Sequence, residues 1–210
     1  MGRPRISEGE AGARERMIEA FWTLLRAEPF ARMSVAKVVA TAGLNRNAFY
    51  YHYGSLEELA EDAVVETIPA EAPRLIVSFF ADDDGEFKEF LSAPDRAAQY
   101  ERLRLLIGPH GSSELRGWVR DLFIRMWCEK FGITADDLTR DETITLRFAF
   151  GGIVEILGDW DALIGERSLD LVLEVPPARL VMGVVLETLQ NAADRARAAD
   201  RATLDDRDDQ

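Results

Sequence analysis

The chain's 210 residues suffice for one large domain or two small ones, and its 47% apolar content can fill a core, which excludes a wholly disordered protein. Its 25 Lys and Arg against 38 Asp and Glu give a formal net charge of -13, which on its face argues against polyanions such as nucleic acid or anionic membrane. One cysteine (Cys128), two histidines, no secretory signal and no apolar run approaching the roughly 20 residues of a membrane span lead to the expectation of a cytoplasmic protein with no metal, no cofactor and no membrane partner.

Apolar residues recur at helical spacing nearly throughout, and no strict alternation between turn residues suggests a sheet, so the expected fold is all-α. Ile18, Phe21, Trp22 and Leu25 form one stripe on a helix of about residues 11 to 27, which Pro29 ends. Ser34 stands as N-cap of a helix of about two turns, with Val35, Val38, Val39 and Ala42 inward and Gly43 as its stop. Asn45 caps a second short helix reaching Tyr53, which turns Phe49 and Tyr53 inward and leaves Arg46, Asn47, Tyr50 and Tyr51 outward. After Gly54, Ser55 and Glu58 have the spacing of a capping box, and Leu59, Ala63 and Val64 carry a fourth helix toward Pro69.

Beyond Pro69 the helices are longer and their connections acidic. Asp82-Asp83-Asp84-Gly85 reads as a solvated loop rather than a metal site, Pro94 can open a helix, and Gly108-Pro109-His110-Gly111 is a breaker. Ser112 to Lys130 reads as one helix with Leu115, Val119, Leu122, Phe123, Met126 and Trp127 on its apolar side, and Cys128 there is expected to be a small buried filler. Two further helices are expected from about Leu138 to Leu163 and from Pro177 to about Arg197, followed by a charged tail expected to fray.

Two short capped helices joined by Ala42-Gly43-Leu44 have the spacing of a helix-turn-helix, in which the first braces the second so that its N-terminal end enters the major groove. The exposed residues suit that task. Arg46 can donate twice to guanine, Asn47 can pair with the adenine edge, and Tyr50 and Tyr51 can reach phosphates or lay a ring on a thymine methyl. Ser34, Lys37 and Thr41 on the bracing helix are candidates for the flanking backbone, with Asn45 at the turn and His52 bonding to phosphate or to backbone. No catalytic constellation stands out, and the chain is not expected to be an enzyme.

Residues 34 to 53, closing on Phe49-Tyr50-Tyr51-His52-Tyr53 and followed by the capped segment Ser55 to Leu59, resemble the TetR family of bacterial transcriptional regulators over roughly the first 65 residues. The resemblance implies a DNA-binding head, here residues 1–54 with an arm at 1–10, an all-helical effector-binding and dimerisation body at 55–197, and leaves 198–210 as the tail. It also implies a homodimer on a double-stranded DNA operator, released by a small-molecule effector. The chain departs from the family pattern at Gly54, where members commonly carry a lysine on phosphate, and at Ala36, where many have a longer polar residue. The basic arm Gly2-Arg3-Pro4-Arg5 is the candidate to supply contacts instead, with Arg3 and Arg5 in the minor groove.

In the body, Trp118, Phe123, Trp127, Phe148 and Phe150 are candidates to line an effector cavity, plain core being the alternative. Gly151, Gly152 and Gly183 lie within helical stretches, where glycine costs about 1 kcal/mol against alanine, and so suggest close approach of another helix. In a TetR-like body that helix belongs to the second subunit; a cavity lining is the competing explanation. The expected function is a ligand-responsive, homodimeric regulator, a repressor, on a pseudo-palindromic operator. The alternatives are an architectural DNA-binding protein without a regulatory ligand and a helical enzyme or protein-interaction domain with a vestigial head. The charge sharpens the choice. Residues 1–53 hold eight Lys and Arg against five Asp and Glu, a net of +3, leaving 17 and 33, a net of -16, in the rest. The acidic balance thus limits which end can meet DNA.

Overall fold

Helix is the regular structure of the described residues, 8–81, 85–93, 96–163, 165 and 173–208, in this computed structural model. The chain divides into two compact units, Met1–Ile68 with Ala98–Trp118, and Pro69–Ala97 with Val119–Gln210.

In the first unit α1 (Glu8–Ala27) is followed by a 3-10 turn (Phe30–Arg32), α2 (Val35–Ala42), α3 (Arg46–His52) and α4 (Leu56–Val65). The stripe read from the sequence is the core. Phe21, Trp22 and Leu25 are fully buried together with Val38, Phe49 and Leu59, each worth about 1.5–3 kcal/mol of transfer from water. By packing, α4 lies on α1, and residues 98–118, which the sequence reading assigns to the body, sort with the first unit.

Those residues are the greater part of α7 (Arg96–Ile107) and the start of α8 (Ser113–Lys130). Arg26 on α1 donates to Glu101 at 2.7 Å, and Arg102 pairs with Glu19 while its guanidinium lies 5.2 Å from the Trp22 ring centroid. The predicted breaker is a tight turn. The His110 carbonyl accepts from the Phe30 N–H at 2.9 Å, and Nδ1 of the same residue, 2.8 Å from the Leu25 carbonyl, must be the protonated nitrogen because a carbonyl only accepts. Gly111 is required for closeness, since a Cβ there would stand 1.9 Å from the Leu106 carbonyl oxygen.

The second unit holds α5 (Ala72–Phe80), α6 (Gly85–Ser92), most of α8, a 3-10 turn (Ala135–Asp137), α9 (Arg140–Gly158), the single turn α10 (Trp160–Leu163) and α11 (Pro176–Asp208). Its main core joins Trp127 and Cys128 of α8, Leu146 and Phe150 of α9, and Met182, Val185 and Leu189 of α11. Cys128 is 1% exposed, and burial pushes its thiol up to about 11, so it fills space as expected. Leu75, Phe79 and Phe87 form a second, smaller cluster. The loop expected at 82–84 and the helix start at Pro94 lie outside the described residues.

α11 runs on to Asp208, well past the expected end near Arg197, because residues 198–208 contain alanines and no glycine or proline to stop it. Asp209 and Gln210 lie outside the described residues.

One polar junction ties α11 to the start of α9. Thr139 and Glu142 form a reciprocal capping box, and Arg195 donates to both Glu142 oxygens at 2.8 and 2.7 Å and to the Asp137 carbonyl at 2.8 Å. Arg195 first, and the Thr139 bonds next, hold the Glu142 carboxyl down to about 2. Its folded value is below its unfolded one, so the pair stabilises the fold above about pH 4.5 and the contribution is lost as pH falls toward 2. Glu142→Gln is therefore expected to lower the melting temperature by a few degrees at pH 7, with the gap to wild type closing in melts between about pH 4.5 and 2.

Candidate nucleic-acid interface

The two short helices of the head are each capped by a side chain of their own. Ser34 Oγ accepts from the Lys37 N–H at 3.4 Å to begin α2, and Asn45 Oδ1 accepts from the Ala48 N–H at 2.9 Å to begin α3. Between them Gly43 adopts φ +64°, the left-handed geometry that ends α2. Arg16 on α1 completes the turn, donating to the Ala42 carbonyl through Nε at 3.0 Å and to the Gly43 carbonyl through Nη2 at 2.9 Å. A guanidinium thus satisfies the orphan carbonyls at the negative end of α2. With seven residues α3 is too short to persist alone; fully buried Phe49 and 5%-exposed Tyr53 fasten it.

The opposite face of α3 is open. Tyr50 is 58% and Tyr51 71% exposed, and Arg46, Asn47, Asn45, Thr41 and Ser34 are exposed beside them, while His52 is half-buried with its ring edge-on to Tyr51 at 5.0 Å. Capping consumes acceptors, not donors. Ser34 keeps its hydroxyl hydrogen and Asn45 its amide NH2, both available to a phosphate oxygen. Among the described residues Arg46 has no internal partner, and its five donors face solvent.

Lys37 differs from the expectation. Its Nζ donates to both Glu28 oxygens at 2.6 and 2.8 Å and to the Arg32 carbonyl at 2.9 Å, which uses all three of its donors inside the head. Glu28 and Lys37 lie nine positions apart across the Pro29 turn, a separation no periodic pattern signals. Arg16 was missed for the same reason, since its target is a carbonyl 26 positions away. The capping box after Gly54 is also altered: Glu58 N–H donates to Ser55 Oγ at 3.2 Å, but the Glu58 carboxylate receives the N–H of Gly54, not of Ser55, at 2.6 Å. Arg3 and Arg5 lie outside the described residues.

The aromatic candidates of the body separate. Phe123 stacks on Phe150 at 5.9 Å between centroids, and Trp127 lies 6.2 Å from Phe150, within the core of the second unit. Trp118 sorts with the first unit. Phe148 does not join them: at 83% exposure it faces solvent, because at 100° per residue it lies about 160° around α9 from Phe150. Among the described residues nothing beyond their own stretch of helix lies within 4 Å of where a Cβ on Gly151, Gly152 or Gly183 would stand, so no other described helix makes the close approach they suggest. Among the described residues no helix is long and apolar enough to cross a membrane, and no cluster of three His, Cys, Asp or Glu side chains could hold a metal ion.

A short braced helix with an open face of arginine, asparagine and tyrosines defines a helix-turn-helix protein. Residues 18–63 match the family of bacterial regulatory proteins named tetR, and this stretch is the N-terminal helix-turn-helix domain of that family. Residues 18–63 thus carry a helix-turn-helix domain similar to the N-terminal DNA-binding domain of that family. No curated protein matches the chain.

The two cations on this face are expected to behave differently. Arg46→Ala should reduce the slope of log K against log salt for duplex binding by about 0.9 per protomer if it meets phosphate, or relax base preference at one position at a cost of about 1–3 kcal/mol if it meets guanine. Lys37→Ala should leave both unchanged and instead lower thermal stability by a small amount, as loss of a half-exposed ion pair does. Anisotropy titrations across a salt series and thermal melts separate the outcomes.

Proposed function

We propose that the protein acts in the cytoplasm as a homodimeric repressor which binds a pseudo-palindromic operator and is released by a small-molecule effector. The observation that carries the DNA half is the open face of α3, where Arg46, Asn47, Tyr50 and Tyr51 project from a helix whose other side is buried. Arg46, Asn47 and the two tyrosines read base edges and neighbouring phosphates, Ser34, Thr41 and Asn45 hold the flanking backbone, and His52 supports the Tyr51 ring.

The homodimer is supported by an apolar face on the second unit. Ile144, Phe148 and Ile156 on α9 are 56%, 83% and 44% exposed, and Leu180 and Val184 on α11 are 72% and 42% exposed. Ile144, Phe148, Gly152 and Ile156 follow one another at four-residue spacing, and Leu180, Gly183 and Val184 at i, i+3 and i+4, so each helix presents one stripe. Glycines open to solvent within those stripes let a second backbone approach closely. A contiguous apolar face of this kind on a charged protein marks an association surface. Two copies would set their α3 helices about 34–36 Å apart or a multiple of it, matching successive major-groove faces. The effector half rests on the family resemblance, with Phe123, Trp127 and Phe150 of the second unit as candidate contacts. Effector and DNA would then weaken each other's binding by one coupling free energy.

Selection of duplexes from a randomised pool by the purified protein tests the reading, the expected product being two inverted half-sites at that spacing. Enrichment of no sequence would exclude an operator-reading regulator and leave an architectural protein or a silent head. Phe148→Glu is expected to give a folded monomer by light scattering at micromolar concentration, with unchanged helical signal and at least a tenfold loss of affinity for a two-half-site duplex.

A further inference from the structure

Three elements of the head meet at one carboxylate. Tyr53, the C-cap of α3, donates its phenol hydroxyl to Asp62 Oδ2 on α4 at 2.6 Å. Arg14 on α1 donates to the other oxygen, Oδ1, at 2.6 Å and reaches Glu66 Oε1 at 3.0 Å. Tyr53 is 5% exposed, and burial, with the Asp62 bond next, pushes its phenol well above its ordinary range, so the hydroxyl remains a donor. Tyr53 is buried and Asp62 half-buried, unlike exposed Arg46 and Asn47, and a phenylalanine at position 53 would fill nearly the same space.

The chain nonetheless places a charged, directional bond where apolar packing alone would hold the helix down. Phe49 sets the depth of α3, but burial of an apolar ring is not directional and leaves rotation and tilt loosely defined. A short hydrogen bond to a carboxylate is directional and stronger than a neutral one. On a helix of about 5–6 Å radius including side chains, a rotation of about 10° moves a side-chain tip by about 1 Å, enough to spoil a two-pronged contact with a base edge. We infer that Asp62, acting through Tyr53, is a positioning residue that fixes the orientation of α3 on α1 and α4 and thereby the discrimination between DNA sequences. Arg14 in turn orients the carboxylate. The inference rests on the DNA-binding reading of α3 and adds to it a residue that touches no DNA.

The test uses the full-length protein with two probes, a duplex selected by the wild-type protein from a randomised pool and an unselected duplex of equal length. Tyr53→Phe and Asp62→Leu are each expected to keep the helical signal and to lower affinity for the selected duplex about tenfold, the equivalent of one hydrogen bond to a charged group. Affinity for the unselected duplex and the salt slope should not move, because no cation has been removed. A merely structural role would lower binding to both duplexes alike through loss of folded protein. The double variant should be no weaker than either single one, since both break the same bond. Unchanged discrimination in both variants, equal loss on both duplexes, or additive losses would each overturn the inference. Should Tyr53→Phe fold poorly, Asp62→Leu carries the test, because Arg14 keeps Glu66 as a partner. If the wild-type protein enriches no duplex, the DNA reading fails first, and this inference with it.

Discussion

A seven-residue helix has no means of holding itself together, and the head is arranged around that constraint. α3 exists because Asn45 closes one end, Phe49 is fully buried where α3 packs on α1 and α2, and Tyr53 is fastened at the other end. α2 is hardly longer and borrows its C-terminal cap from Arg16 on α1. Long α1 is thus the frame from which both short helices hang, and its interior face of Met17, Ile18, Phe21, Trp22 and Leu25 is the densest apolar stripe in the unit. What remains outward on α3 is determined by what must point inward.

The charge of the head reads differently once its ion pairs are known. Arg14, Arg26 and Lys37 are committed to Asp62, Glu101 and Glu28, and Arg16 to carbonyls, so four of the eight cations counted between residues 1 and 53 serve the fold. The net of +3 still biases the approach of a polyanion, because long-range fields sum over all charges. Contact is a shorter-range matter, and among the described residues of this stretch Arg32 and Arg46 are the cations without an internal side-chain partner.

Much of the head was legible in the sequence because its signals are local. Ser34 and Asn45 as caps, Gly43 as the stop, and Phe49 and Tyr53 as inward residues each follow from spacing within a few positions, and each stands so in the structure. The readings that shifted depend on distant partners. Lys37 looks like a free phosphate ligand until Glu28 is placed beside it, and the reach of Arg195 to Glu142 spans 53 positions. Phe148 illustrates a different difficulty. Composition groups it with Phe150, but two helical steps carry it to the far side of α9, where only the phase of the helix, not the residue type, tells core from surface. The length of α11 past Arg197 was not legible from charge, since charge does not forbid a helix that lacks a breaker.

The participation of residues 98–118 in the first unit bears on the order in which the protein is made. Glu101, Arg102 and His110 reach α1 and the turn after it from positions 75 to 85 residues further along the chain. Synthesis proceeds from the N-terminus at about 5–20 residues per second, so the first four helices leave the ribosome several seconds before the segment that completes their unit. During that interval Glu19, the Leu25 carbonyl and the Phe30 N–H lack the partners they will later have, and closing the unit requires a long loop to be ordered rather than a neighbouring helix to dock. The helices of the head are therefore translated before the segment that completes their unit.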